Sequence, residues 1–143
     1  MPTPLHFVFY IAAPAEKVWE GLVSQESNRA IFSAELEVEL KPGGPMNWVG
    51  TAPDGTHTVF VRGEVLQSDP PKLLQYTFAI GPSDKVSRVT VELVPETEAT
   101  KVSVTHDNWA EDDTSYAFCV DGWLRILSRL KTLIETGKTF KPH

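Results

Sequence analysis

Alternating apolar and polar residues predict a series of β-strands through most of the chain. The clearest alternation is at residues 35–40, where Leu36, Val38 and Leu40 are each separated by a glutamate. A period of two places such residues on one face of a strand. Further strands are predicted at residues 6–12, 46–50, 58–66, 73–80, 86–94 and 100–106. Turn sequences rich in Gly, Pro and Asp separate most of them, so we expect about seven strands.

Two short helices are predicted after the first strand. Residues 15–23 carry Val18, Trp19 and Leu22 on one helical face, and Pro14 suits the first position of that helix. Ser24 is placed to cap a second helix over residues 25–32.

A long helix is predicted over residues 114–136, which at 1.5 Å per residue is about 35 Å long. Asp112 or Asp113 can cap its start, and Gly137 stands where helices commonly end. One apolar stripe is predicted at Tyr116, Val120, Trp123, Leu127, Leu130 and Ile134, widened by Cys119, Leu124 and Ile126. The opposite, solvent-facing side is predicted at Asp121, Arg125 and Arg129.

The order of these elements favours an α+β fold. Consecutive strands joined by short turns indicate an antiparallel meander rather than a doubly wound sheet. Residues 1–143 contain no linker, repeat or low-complexity segment, so we expect a single domain.

Composition narrows the classes of partner. The net charge of −6 and the lack of a Lys/Arg cluster disfavour nucleic acid and anionic membranes as partners. Cys119 is the sole cysteine and the four histidines are scattered, so we expect no disulfide, no metal site and no cofactor. Because no signal peptide or membrane-spanning segment is recognisable, we expect a cytoplasmic protein.

Five segments resemble the START-like (SRPBCC) superfamily. They are IAAPAEKVW at 11–19, KPGGPMNW at 41–48, DPPKLLQYTF at 69–78, TKVSVTH at 100–106 and GWLRILSRLKTLIE at 122–135. Within the superfamily, the chain is most similar to bacterial homologues of the activator of heat-shock-protein-90 ATPase. The resemblance implies a helix-grip fold, in which a curved antiparallel sheet holds the C-terminal helix and the two short helices close one end.

The resemblance also implies a cavity between the sheet and the long helix. Bulky side chains with a few polar atoms are expected to line it, an arrangement that orients small apolar ligands. The candidate ligand-binding residues are Phe32, Met46, Trp48, Tyr76, Phe78, His106, Trp109, Tyr116, Cys119, Val120 and Trp123. No catalytic residue is assigned, because the chain carries no nucleophile elbow, phosphate-binding loop or zinc-protease motif.

Three functions remain open. The favoured one is non-catalytic binding of a small hydrophobic or aromatic molecule. The second is a protein-interaction role resembling the chaperone-ATPase activators, with a chaperone as partner. The third is a polyketide-cyclase-like enzyme using His106 or Tyr76 as proton donor or acceptor, although a buried histidine is more often structural. A homodimer formed through exposed sheet edges is also open.

Overall fold

The computed structural model describes residues 2–141. This part of the chain forms eight strands and three helices. The strands are β1 (Leu5–Ile11), β2 (Glu35–Val38), β3 (Met46–Thr51), β4 (His57–Arg62), β5 (Val65–Asp69), β6 (Leu73–Ile80), β7 (Ser87–Pro95) and β8 (Thr100–Asp107). The helices are α1 (Ala15–Val23), α2 (Gln25–Phe32) and α3 (Ser115–Thr136).

The strands form one antiparallel sheet in the order β1-β8-β7-β6-β4-β3-β2, with β5 also pairing β6. The first strand therefore lies beside the last, and Phe9 is opposite Val102. The sheet and the long helix α3 enclose a core to which Ile11, Leu36, Leu74, Val89 and Val104 contribute fully buried side chains. The α+β helix-grip fold predicted from the sequence is confirmed.

The strand predicted over residues 58–66 is two strands, β4 and β5, which raises the total from seven to eight. The break falls at Gly63 and Glu64. A Cβ atom on Gly63 would lie 2.3 Å from the Thr77 carbonyl oxygen, so the backbone approaches β6 more closely than any side chain allows. The Glu64 N–H donates to the Thr77 hydroxyl at 2.9 Å. The register is unchanged across this break, since Arg62 lies opposite Ala79 and Val65 opposite Tyr76, so both halves of the interrupted strand pair with β6.

The buried face of α3 is rotated relative to the predicted stripe. Leu127, Leu130 and Ile134 are buried as predicted, and Cys119 is buried with them, whereas Val120 is 43% exposed and Leu124 is 56% exposed. Because each residue turns the helix by about 100°, Val120 lies at the border of the face centred on Cys119. The prediction that Val120 belongs to the buried stripe is therefore wrong, whereas Gly137 ends the helix in a left-handed conformation as expected.

Arg129 is also misplaced by the sequence pattern, since it is 2% exposed rather than solvent-facing. Its Nε donates to the Ile31 carbonyl at 3.1 Å and its Nη2 to the Ala30 carbonyl at 2.6 Å. Both acceptors belong to the last turn of α2, where free carbonyls and the helix dipole favour a cation. Arg129 thus holds the C-terminal end of α2 against α3.

Candidate functional site

A cavity of about 190 Å³ lies between the sheet and α3. Side chains from α2, β3, β4, β6 and α3 line it, and none of them is charged. The lining consists of Phe32, Ala34, Trp48, Phe60, Val61, Tyr76, Phe78, Ile80, Phe118, Cys119, Gly122, Trp123 and Ile126. A concave apolar space with few polar atoms is the usual form of a site for a small apolar ligand.

Six of the predicted residues meet at this cavity: Phe32, Trp48, Tyr76, Phe78, Cys119 and Trp123. Met46 lines a smaller space of about 50 Å³ next to it, which shares Trp48, Tyr76 and Trp123 with the larger cavity. The sheet brings these positions together because β3, β4 and β6 lie side by side. Contact between these residues and a ligand remains a prediction.

Four predicted residues lie outside the linings of both cavities. His106 and Trp109 are buried beside the cavity, with 0% and 2% exposure. The hydroxyl of Tyr116 donates to the Thr3 carbonyl at 2.9 Å, which turns this residue toward the N-terminal segment. Val120 is exposed because of the helix rotation described above.

Seven lining residues did not appear among the predicted ligand-binding residues: Ala34, Phe60, Val61, Ile80, Phe118, Gly122 and Ile126. Phe60 is 51% exposed and Phe118 is 68% exposed, so both lie where the cavity meets solvent. Gly122 lies one helical turn from Phe118. A Cβ atom there would have only the Phe118 ring as a neighbour, at 3.7 Å, so Gly122 leaves open space at the rim.

Trp48 is held by a buried amide. Its Nε1–H donates to Oδ1 of Asn28 at 2.9 Å, and Asn28 is 1% exposed. The amide nitrogen of Asn28 donates in turn to the carbonyls of Leu22 and Ser24, at 3.1 and 2.8 Å. These contacts join the α1–α2 connection to the sheet. They also engage the indole N–H, the one polar hydrogen of the Trp48 side chain.

Trp123 is held by a second buried chain of hydrogen bonds. Its Nε1–H donates to Nδ1 of His106 at 2.9 Å. Since Nδ1 accepts, the histidine proton is on Nε2, which lies 2.7 Å from the Ser87 hydroxyl. That hydroxyl donates to the Phe78 carbonyl at 3.2 Å. Both ring nitrogens of His106 are therefore occupied by protein partners.

The surroundings of His106 keep it neutral. Its ring stacks on Trp109 with centroids 3.9 Å apart and meets the edge of Phe78 at 4.8 Å. Burial lowers the pKa of His106 from 6.5 to about 4, although Asp113 and Asp107 oppose this shift. Burial among aromatic rings is more costly for the imidazolium than these two carboxylates can offset. His106 is therefore neutral, accepting from Trp123 through Nδ1 and donating to Ser87 through Nε2.

Tyr76 and Cys119 supply the remaining side-chain polar atoms of the lining. Tyr76 is 5% exposed, and within residues 2–141 no side chain or backbone group hydrogen-bonds to its hydroxyl. Burial, together with the nearby Cys119, raises the pKa of Tyr76 above its ordinary value. Burial, with a smaller contribution from Asp113, raises the pKa of the Cys119 thiol to about 12. Both groups are uncharged near neutral pH.

Residues 12–135 match the family described as Activator of Hsp90 ATPase homolog 1-like protein. The chain belongs to this family. The match begins directly after β1 and ends in the last turn of α3, and it confirms the resemblance found in the sequence. No curated protein matches the chain by sequence.

Several solved structures have the same fold. MLL2253 from Mesorhizobium loti is 23% identical, with 92% of this chain and 96% of that chain covered and a TM-score of 0.76. The Aha1 dimer from Colwellia psychrerythraea is 20% identical, with coverage of 96% and 99% and a TM-score of 0.74. PFC0360w, an Hsp90 activator from Plasmodium falciparum, is 19% identical, with coverage of 93% and 96% and a TM-score of 0.75. At these identities the likeness shows the fold alone.

Residues 2–141 contain neither a membrane-spanning helix nor a cluster of metal-binding side chains. No helix in this range is long and apolar enough to span a membrane. No group of three or more His, Cys, Asp or Glu side chains in the same range is arranged to hold a metal ion.

Proposed function

We propose that the chain binds a small, largely apolar molecule in the cavity between the sheet and α3 without catalysing a reaction on it. The observation that carries this proposal is the 190 Å³ cavity with an uncharged, mainly aromatic lining. In another protein an apolar cavity of about 150 Å³ binds benzene. A molecule with one ring and a short substituent matches the space available here.

The chemistry of the lining supports binding rather than catalysis. A thiol with a pKa of about 12 is not a thiolate near neutral pH, and the neutral Tyr76 phenol is no better a base. His106 does not line the cavity, and its two ring nitrogens bond to Trp123 and Ser87. The cyclase-like alternative therefore has no available base among the lining side chains.

The indole N–H signals of the four tryptophans offer a direct test in ¹⁵N–¹H spectra. Titration with toluene or indane is expected to shift the signals of Trp48 and Trp123, which line the cavity, in a saturable way. The signal of Trp19, which lies outside the lining, should change much less. A native mass spectrum of freshly purified protein would add the mass of any co-purified ligand.

Substitution of Gly122 gives the matched control. Gly122→Leu places a bulky side chain at the rim of the cavity, whereas Gly122→Ala adds one methyl group in open space. We expect the leucine variant to lose most of the ligand-induced shift and the alanine variant to keep it. If no compound shifts the two signals, or if Gly122→Leu responds like the unaltered protein, the cavity is not a binding site.

The family match favours a second candidate function, the binding of an Hsp90-type chaperone. The likeness to a Plasmodium Hsp90 activator agrees with it at the level of the fold. Added protein should then raise the ATPase rate of a purified Hsp90, and an unchanged rate together with no co-sedimentation would remove this candidate. A homodimer, the state named for the Colwellia relative, is testable in the same sedimentation runs.

A further inference from the structure

The polar atoms left free in the cavity indicate which ligands it prefers. Four lining residues carry side-chain polar atoms: Trp48, Tyr76, Cys119 and Trp123. The N–H groups of both tryptophans already donate to Asn28 and His106. The lining therefore has one strong donor without a partner, the Tyr76 hydroxyl, and one weak donor, the Cys119 thiol.

The Tyr76 hydroxyl has no partner within residues 2–141, but it faces the cavity and is not sealed from water. Tyr76 is 95% removed from solvent, at 5% exposure, and it is packed against Trp48 with ring centroids 5.7 Å apart. A donor that can reach water gives up that bond when an apolar ligand covers it. A ligand that brings an acceptor to this hydroxyl replaces that bond, whereas a purely apolar ligand leaves the donor unsatisfied.

The charge of the lining limits what that acceptor can be. None of the lining side chains is cationic, and burial holds the Tyr76 phenol and the Cys119 thiol in their neutral forms. A carboxylate in this cavity would lose its hydration without meeting a positive charge, which is strongly unfavourable. A neutral carbonyl or ether oxygen requires only the single hydrogen bond that Tyr76 can donate.

We infer that the cavity selects an uncharged cyclic molecule carrying one hydrogen-bond acceptor, a ketone, aldehyde or ether oxygen, which the Tyr76 hydroxyl binds. The inference rests on the proposed function and adds to it the chemical class of the ligand. Fatty acids and aromatic acids, which are anions near neutral pH, are excluded by the same argument.

Three compounds of nearly equal size and shape separate these properties. Acetophenone carries a neutral ketone, cumene replaces the carbonyl by a methyl-bearing carbon, and benzoate replaces the acetyl group by a carboxylate. Their affinities are measured by titration of the Trp48 and Trp123 indole signals at neutral pH. We expect acetophenone to bind about three- to tenfold more tightly than cumene, the gain of one neutral hydrogen bond, and benzoate not to bind measurably.

Two variants then assign the effect. Tyr76→Phe should remove the advantage of acetophenone while leaving cumene binding within about twofold. Cys119→Ala, which removes the weak donor, should affect both compounds equally. Equal affinities of acetophenone and cumene for the unaltered protein overturn the inference but leave the apolar binding site intact. Tight binding of benzoate also overturns it, and no binding by any of the three removes the proposed function as well.

Discussion

The indole N–H of Trp123 lies 2.9 Å from Nδ1 of His106, which joins a cavity-lining residue of α3 to a fully buried histidine of β8. This bond requires a neutral imidazole, because a protonated Nδ1 carries a hydrogen and cannot accept one. The orientation of Trp123 in the cavity therefore depends on the protonation state of His106.

The first prediction concerns the pH dependence of stability. The pKa of His106 is about 4 in the folded protein and 6.5 ordinarily, so between these values the unfolded chain binds more protons. Its contribution is fully present above about pH 6.5 and is lost as the pH falls toward 4. The free energy of unfolding should fall over this range by an amount on the order of 3 kcal/mol. Urea denaturation from pH 4 to 7 measures it.

A non-titrating variant isolates the histidine from the carboxylates that titrate in the same range. His106→Gln keeps an acceptor for Trp123 but cannot take up the proton, so its unfolding free energy should depend less on pH than that of the unaltered protein. His57→Gln, at an exposed position of β4, is the control and should retain the full dependence. Identical pH profiles for His106→Gln and the unaltered protein would contradict the assignment.

The second prediction concerns Asn28, whose amide connects Trp48 to the carbonyls of Leu22 and Ser24. Asn28→Ala leaves the Trp48 N–H and the Leu22 carbonyl without these partners, while the Ser24 carbonyl keeps the backbone N–H of residue 28, at a cost of about 2–4 kcal/mol in unfolding free energy. Asn28→Asp can still accept from Trp48 but turns a carboxylate toward two carbonyls, so it should also destabilise.

The control for Asn28 is Gln67→Ala, which removes a hydrogen bond between two side chains at the surface. Its effect should stay within about 0.5 kcal/mol. The Trp48 indole signal gives a second measurement, because it should shift strongly in Asn28→Ala and weakly in Asn28→Asp. An unchanged Trp48 signal in Asn28→Ala would show that this hydrogen bond is absent in solution.

The sequence was sufficient for the fold because local signals agreed along the chain. Alternation in β7 and β8, the Ser24 cap of α2 and the Gly137 end of α3 each depend on neighbours in sequence. The break at Gly63 could not be predicted in this way. It results from the close approach of the Thr77 carbonyl oxygen to Gly63, and Thr77 belongs to another strand, β6.

The cavity was predicted less completely for the same reason. Trp48, Tyr76 and Trp123 could be predicted because they are aromatic residues at inward-facing positions of β3, β6 and α3. The rim residues Phe60 and Phe118 could not, because their place depends on where the sheet stops covering α3. The burial of Arg129 depends on α2 ending beside it, and nothing in the period of α3 indicates that. From the helical period alone, an arginine beside the apolar stripe of α3 is predicted to face solvent.

The third prediction compares two helical glycines that the structure treats differently. Alanine is favoured over glycine in a helix interior by about 1 kcal/mol. At Gly122 a Cβ would lie 3.7 Å from Phe118, an ordinary contact, so Gly122→Ala should raise the unfolding free energy by about 0.5–1 kcal/mol. At Gly21 a Cβ would lie 2.7 Å from Cδ1 of Ile134, so Gly21→Ala should destabilise.

A double variant tests the steric explanation for Gly21. Ile134→Val removes the Cδ1 atom that the new methyl group would meet. The combined loss for Gly21→Ala with Ile134→Val should therefore be smaller than the sum of the two single losses. Additive losses in thermal or urea unfolding would show that α1 and α3 are not in close contact at this point.

The fourth prediction concerns Arg129, a cation at 2% exposure whose hydrogen-bond partners include the Ala30 and Ile31 carbonyls. Its guanidinium carbon also lies 5.6 Å from the centre of the Phe140 ring. Arg129→Met keeps much of the apolar contact but leaves both carbonyls of α2 unpaired, so the unfolding free energy should fall by about 2 kcal/mol. Arg129→Lys should lose less, because an ammonium can reach one carbonyl but cannot span two as a planar guanidinium does.

Lys17→Met, on the exposed side of α1, is the control and should change stability by less than about 0.5 kcal/mol. A gain in stability for Arg129→Met would mean that the cost of burying the cation exceeds the value of its two hydrogen bonds, and that α2 is held against α3 by apolar packing instead.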